Sequence, residues 1–204
     1  MIITDHKHIP FGPYVAKMTL DPGFCKRLLE TGKTLTKSHT AYLAGSIEHE
    51  YVFDLKKDAW IEEEFGACVK AWLQGYRQFS GDRNFNPEFK LHPLWINFQK
   101  AKEYNPIHSH PGCNLSCVLY LEVPKEMLTE KRATTGAAPG HTGFMYGEDA
   151  YGFITHRIIR PQERILLMFP SNLRHYVSHF DSPDVTRISV SGNITFKITG
   201  AYVD

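Results

Sequence analysis

Residues 165–198 read ILLMFPSNLRHYVSHFDSPDVTRISVSGNITFKI. Apolar runs at 165–169, 173–179 and 187–198 are separated by Pro170, Ser171 and Asn172 and by Asp181, Ser182, Pro183 and Asp184. Short β-branched and aromatic runs, punctuated by turn formers, are the pattern of antiparallel strands. The same texture extends back to Pro87. Segments 94–98, 116–123 and 151–159 repeat it, with Pro, Gly, Asn and Asp in the gaps. Together they predict an antiparallel sandwich or barrel of jelly-roll type. Residues 129–146, rich in Thr, Gly, Ala and Pro, read as a long loop, a common form for lids and binding segments.

Before Pro87 the period changes. Asp21 can cap a helix, Pro22 suits its first turn, Phe24, Leu28 and Leu29 keep helical spacing, and Gly32 stops it. A stronger stripe over 58–79 runs through Trp60, Ile61, Phe65, Cys68, Val69, Trp72, Leu73 and Tyr76, and Gly81 closes it. Each helix has one apolar face to bury, so both are expected to buttress the sheet. The expected fold is mainly β with N-terminal helices. It is read as one domain over 1–204, with 1–86 as helical support and 87–204 as the jelly-roll core.

Composition narrows the function. In 204 residues, 23 Lys and Arg against 22 Asp and Glu leave a net charge of +1. That gives no electrostatic case for a nucleic-acid or anionic-membrane binder. No apolar run approaches the roughly 18–20 residues of a membrane span. The start, MIITDHKHIPFGPY, is charged where a signal peptide needs an apolar stretch, so a cytoplasmic location is expected. The 13 Phe, 10 Tyr and 3 Trp supply enough buried surface to dispense with disulfides. Cys25, Cys68, Cys113 and Cys117 are scattered, and Cys113 and Cys117 lack a second pair to complete a zinc site. They are read as reduced thiols. With 11 histidines against 4 cysteines, a metal site would be built on imidazole.

His108 and His110 lie in Asn105-Pro106-Ile107-His108-Ser109-His110-Pro111-Gly112. Residues i and i+2 of a strand share a face, so both imidazoles can reach one point. His175, from a distant strand, would complete a facial set of three ligands. An H-x-H pair alone reads equally as two solvated loop histidines. Arg187 and Ser189 form a second i, i+2 pair, and an arginine fork beside a hydroxyl suits a carboxylate. Taken singly, Arg187 also reads as one half of an ordinary salt bridge. Ser116, Val118 and Tyr120 alternate on one strand face and would line the same pocket, with Asn97 on a neighbouring strand. Tyr120 also reads as a core aromatic and Trp95 as core. His141, His156 and His179 read as surface or structural.

This succession resembles the iron(II)- and 2-oxoglutarate-dependent dioxygenases. The motifs are His108-x-His110, the strand Leu115–Leu121, Ile159-x-Pro161, Leu167-x-Phe169-Pro170-Ser171-x3-His175, and Arg187-Ile188-Ser189-Val190-Ser191-x-Asn193. They are most similar to the small oxygenases of marine phages and bacteria related to prolyl hydroxylases, with Phe11-Gly12-Pro13 and Trp95-Ile96-Asn97 also matching. The resemblance implies a double-stranded β-helix that binds Fe(II) and 2-oxoglutarate. It places His108 and His175 on the metal. It places His110 where the commoner pattern has a carboxylate; the alternative third ligand is Asp149 or another acid brought in by the loop. It puts Arg187, Ser189 and Tyr120 on the distal carboxylate of 2-oxoglutarate.

The implied reaction consumes O2, releases succinate and CO2, and hydroxylates a prime substrate for which a peptidyl, prolyl residue is the leading reading. Segments 38–51 and 129–146 are the candidate substrate rim. A homodimer is compatible with the sequence, and a phage-encoded chain would work in the host cytoplasm. Two other readings stay open. One is a cupin-type three-histidine dioxygenase that needs no 2-oxoglutarate. The other is a non-catalytic jelly-roll binding module.

Overall fold

Asp21 starts the first helix as its sequence predicts. Its Oδ1 accepts the Phe24 N–H at 2.8 Å at the N-cap of α1 (Pro22–Gly32), and Pro22 occupies a first-turn position that needs no N–H. Asp21→Ala should cost about 1 kcal/mol. A lower urea midpoint with an unchanged slope would register that loss, and an unmoved midpoint would deny the cap. Gly32 is the last residue of α1, not a left-handed cap beyond it, and its small size serves packing. A side chain there would run into Ile96. In α2 (Ala59–Ser80), Ile61, Phe65, Val69, Trp72 and Leu73 are buried along one stripe. Gly81 closes this helix at φ +78°, and its N–H donates to the Arg77 carbonyl at 3.1 Å.

The computed structural model describes residues 12–130, 138–148, 152 and 154–197. Phe11, Asp149, Tyr151, Ile198 and the 131–137 part of the loop lie outside the described residues. In chain order the strands are β1 (Ala16–Thr19), β2 (Glu50–Val52), β3 (Glu88–Leu91), β4 (Trp95–Gln99), β5 (Asn105–His108) and β6 (Leu115–Glu122). They continue with β7 (Thr142–Met145), β8 (His156–Ile159), β9 (Ile165–Pro170), β10 (Arg174–Val177) and β11 (Arg187–Lys197). The larger sheet runs β1-β9-β6-β11-β4-β2, with β3 also paired to β11, and the smaller runs β5-β10-β7-β8. All pairings between these strands are antiparallel. This is a jelly roll buttressed by helices.

Alternation along the central strands divides the core. Leu119, Val190 and Ile96 face the helices and join Leu28, Phe65 and Trp72. Val118, Tyr120, Leu167 and Phe169 face the other way and meet Phe144 and Leu173. The sequence pattern predicts only helices before residue 87, yet β1 and β2 extend the larger sheet at its two edges. The 129–146 segment is likewise not all loop, since Thr142–Met145 is β7, with Thr142, Gly143 and Phe144 buried. Gly143 faces the Tyr176 ring so closely that a side chain would collide with it. All four cysteines are free thiols. Among the described residues no helix is long and apolar enough to cross a membrane.

Candidate active site

Strand register lays a polar row across the face of the larger sheet that looks toward the smaller one. Glu50 pairs with Asn97, Asn97 with Ser189, and Ser189 with Tyr120. Directly opposed residues share a face, so these side chains line up across four strands. Arg187, paired with Gln99, lies one step along the same face. All of these residues are buried.

Arg187 is 1% exposed. Its Nη1 donates to Gln99 Oε1 and to Ser189 Oγ, each at 3.2 Å. Its guanidinium carbon lies 5.0 Å from the Tyr120 ring centre. Nε and Nη2 have no hydrogen-bond partner, so no described acid pairs with this cation. Burial lowers its pKa from the ordinary arginine value, opposed by the Tyr120 oxygen. An unpaired charge in the interior is strongly unfavourable. The two idle N–H groups therefore fit an anionic oxygen ligand, and the salt-bridge reading of Arg187 is not realised. Tyr120 lies behind this group rather than on the cavity wall. Its hydroxyl donates to Thr142 Oγ1 at 2.8 Å. Thr142 lines the cavity in its place.

His175 on β10 is paired with His108 on β5. His175 Nδ1 donates to the Leu173 carbonyl at 2.8 Å, and His108 Nδ1 to the Pro106 carbonyl at 2.7 Å. Those acceptors hold the proton on Nδ1 and leave Nε2 with a lone pair for a metal. His110 Nε2 lies 3.3 Å from His175 Nε2. One nitrogen from each ring falls within 4.8 Å of the others. Burial, with the neighbouring His108, pushes His175 down to about 3 and His110 down to about 4. Both rings are therefore neutral near pH 7, the form that coordinates. The donor set suits a borderline divalent ion such as iron(II). Strand alternation does not place His110, because β5 stops at His108. The His110 N–H donating to the Ser171 carbonyl at 2.9 Å fixes it in the following turn.

The three histidines, Arg187 and Ser189 border one cavity of about 260 Å³. Asn97 and Ser116 border it too. Asn97 Nδ2 donates to the Ser189 carbonyl at 3.1 Å and to Ser191 Oγ at 3.2 Å, and Ser116 Oγ donates to Asn193 Oδ1 at 2.8 Å. Trp95, read as core, is 6% exposed and also lines the cavity, its ring 6.4 Å from that of His110. His141, His156 and His179 are not on its wall. Glu50 and Thr142, from the two segments read as a substrate rim, also line the cavity, as does Asn105, which the sequence reading does not single out. Glu50 is 1% exposed, and neither of its oxygens has a hydrogen-bond partner. Burial, with the Glu103 carboxylate nearby, pushes it up to about 7.

A convergent histidine cluster and a partnerless buried arginine thus share one cavity inside a jelly roll, a setting for a divalent metal beside an anionic ligand. Residues 93–193 match the family described as "Putative 2OG-Fe(II) oxygenase". No curated protein matches the chain. Solved structures share the fold. The viral collagen prolyl hydroxylase of Paramecium bursaria Chlorella virus-1, in complex with 2-oxoglutarate, is 13% identical with a TM-score of 0.59. That match covers 92% of this chain and 98% of the viral one. HygX from Streptomyces hygroscopicus, with nickel and 2-oxoglutarate bound, is 10% identical with a TM-score of 0.58, covering 89% and 82%. A Trichoplax adhaerens prolyl hydroxylase in complex with a hypoxia-inducible-factor peptide is 11% identical with a TM-score of 0.57, covering 89% and 82%. The chain belongs to the 2OG-Fe(II) oxygenases. It is an enzyme of that family, whose cofactor is iron(II) and whose co-substrate is 2-oxoglutarate.

Proposed function

We propose that His108, His110 and His175 hold the iron and that the chain hydroxylates a peptidyl residue, with proline the leading candidate. The observation that carries this reading is the shared cavity. Three convergent imidazoles and a buried guanidinium with two idle donors border one space. When bound, iron with 2-oxoglutarate supplies oxidative decarboxylation to succinate and CO2, coupled to C–H hydroxylation. The protein does the positioning. Arg187 and Ser189 hold the distal carboxylate of 2-oxoglutarate, Tyr120 and Gln99 brace Arg187, and the hydrogen-bonded Nδ1 groups of His108 and His175 fix their rings. Val118, Phe169 and Trp95 on the wall keep water out. The peptidyl substrate is supported by the prolyl hydroxylases among the similar folds. The four free thiols fit the reducing cytoplasm.

Purified chain with Fe(II), 2-oxoglutarate and air should form succinate in step with the 2-oxoglutarate consumed. His175→Ala should lower that rate at least about 100-fold, because it removes a ligand from the metal set. Metal binding and O2 consumption with 2-oxoglutarate left intact would sink this reading. That outcome would favour the three-histidine dioxygenase that uses no oxo acid.

A further inference from the structure

The cavity carries two buried, unanswered charges. Arg187 lines it with Nε and Nη2 unpartnered. Glu50 lines it with Oε1 and Oε2 unpartnered. They cannot answer each other, because β4 lies between Glu50 on β2 and Arg187 on β11. If the proposed function assigns Arg187 to 2-oxoglutarate, Glu50 is left facing a second ligand.

Around Glu50 the chemistry is consistent. Asn105 Oδ1 is a third buried acceptor without a partner, and Asn105 lines the same cavity. Gly45 packs against that side chain, where any larger residue would overlap Asn105 Oδ1. Leu43, Ile47 and Trp95 add apolar wall. Three idle acceptor oxygens, one formal negative charge and a greasy surround call for a group with several N–H donors, a positive charge and an alkyl stem. A lysine or arginine side chain has that form, since its methylenes pack on apolar surface while its head seeks the carboxylate. An indole face nearby is also favourable to a cation.

We propose that Glu50, with Asn105, is the recognition site for a cationic nitrogen group, ammonium or guanidinium, carried by the prime substrate beside the residue that is hydroxylated. This rests on the oxygenase reading for the statement that the ligand is the prime substrate. The cation preference itself does not depend on it. Glu50 acts as a specificity-determining residue and not as a metal ligand, since it is not part of the histidine cluster.

The test is calorimetric titration of the full chain, with 2-oxoglutarate present, against four capped amino acids. N-acetyl-arginine methylamide is compared with its neutral isostere, the citrulline analogue, and N-acetyl-lysine methylamide with the norleucine analogue. At least one cationic probe should bind at least about tenfold more tightly than its neutral counterpart, because a buried carboxylate left unpaired penalises the neutral ligand. The better cation identifies guanidinium or ammonium. Glu50→Gln should erase that preference, with its thermal midpoint serving as the fold control.

Equal affinities, no binding at millimolar probe, or a preference that survives Glu50→Gln would overturn the proposal. The wild-type comparison decides even if the variant fails to fold. Succinate formation separates the two claims. A chain that turns over 2-oxoglutarate but ignores charge loses only this inference. A chain that prefers the cation but leaves 2-oxoglutarate untouched loses only the oxygenase reading.

Discussion

Arg187→Met should raise the 2-oxoglutarate concentration needed for half-maximal turnover by about 100- to 1000-fold. Removing one partner of a buried, hydrogen-bonded charge pair costs roughly 2–5 kcal/mol, about 30- to 4000-fold in binding, and the expected range is the middle of that span. The native guanidinium offers Nε and Nη2 with nothing to receive them. A carboxylate that accepts both would make the bidentate contact that arginine forms best. Met keeps the bulk and removes the fork. Arg187→Lys should restore little, because an ammonium presents a point charge where two parallel donors are wanted.

Thermal unfolding offers an independent readout. Without ligand, Arg187→Met should be at least as stable as the wild type, because an unpaired buried cation is a burden on the fold. Added 2-oxoglutarate should raise the wild-type midpoint by linkage and barely move the variant. An unchanged 2-oxoglutarate requirement would remove Arg187 from the site.

The central strands that carry the site were legible because β9 is an apolar run, while β6 and β11 are rich in β-branched and aromatic residues. β6, β9 and β11 lie at the centre of the larger sheet, and sequence alone bounds each to within a residue or so. β1 and β2, of 4 and 3 residues, are too short to show a period. β7 is hidden by Thr142 and by Gly143, whose small size serves a close approach to Tyr176 and not a turn, while Thr142 turns its hydroxyl to Tyr120. The site residues divide in the same way. His108, His175, Arg187 and Ser189 are marked by residue type and spacing. His110 converges through a backbone bond to Ser171 that no local pattern encodes. Glu50 falls inside the 38–51 rim segment, but nothing in the sequence singles it out there. Only its register opposite Asn97 carries it into the cavity.

Glu50→Gln should stabilise the ligand-free protein by about 2–3 kcal/mol at pH 8 and by less than about 1 kcal/mol at pH 5. The folded carboxyl is pushed from 4.5 up to about 7, chiefly by burial. Below the unfolded value both states hold the proton, and the group is neutral in the balance. As pH rises past that value the unfolded chain releases its proton while the folded chain keeps it, so folding is progressively disfavoured. Above the folded value both states are ionised, and the penalty levels off near its full size. A shift of this size corresponds to about 3 kcal/mol. Because Glu50 is 1% exposed, solvent screening removes little of it. Gln cannot ionise, so it removes the pH-dependent part, although its NH2 group needs a partner and returns some of the gain. Urea unfolding of both proteins at pH 5 and pH 8 measures the difference directly. Equal differences at the two pH values, or a variant less stable at both, would mean that Glu50 finds a partner in the folded chain. The predicted sign has a functional meaning. A residue that weakens its own fold at working pH is retained for what it does when a ligand arrives. The cation that answers Glu50 should therefore stabilise the wild type more than the variant.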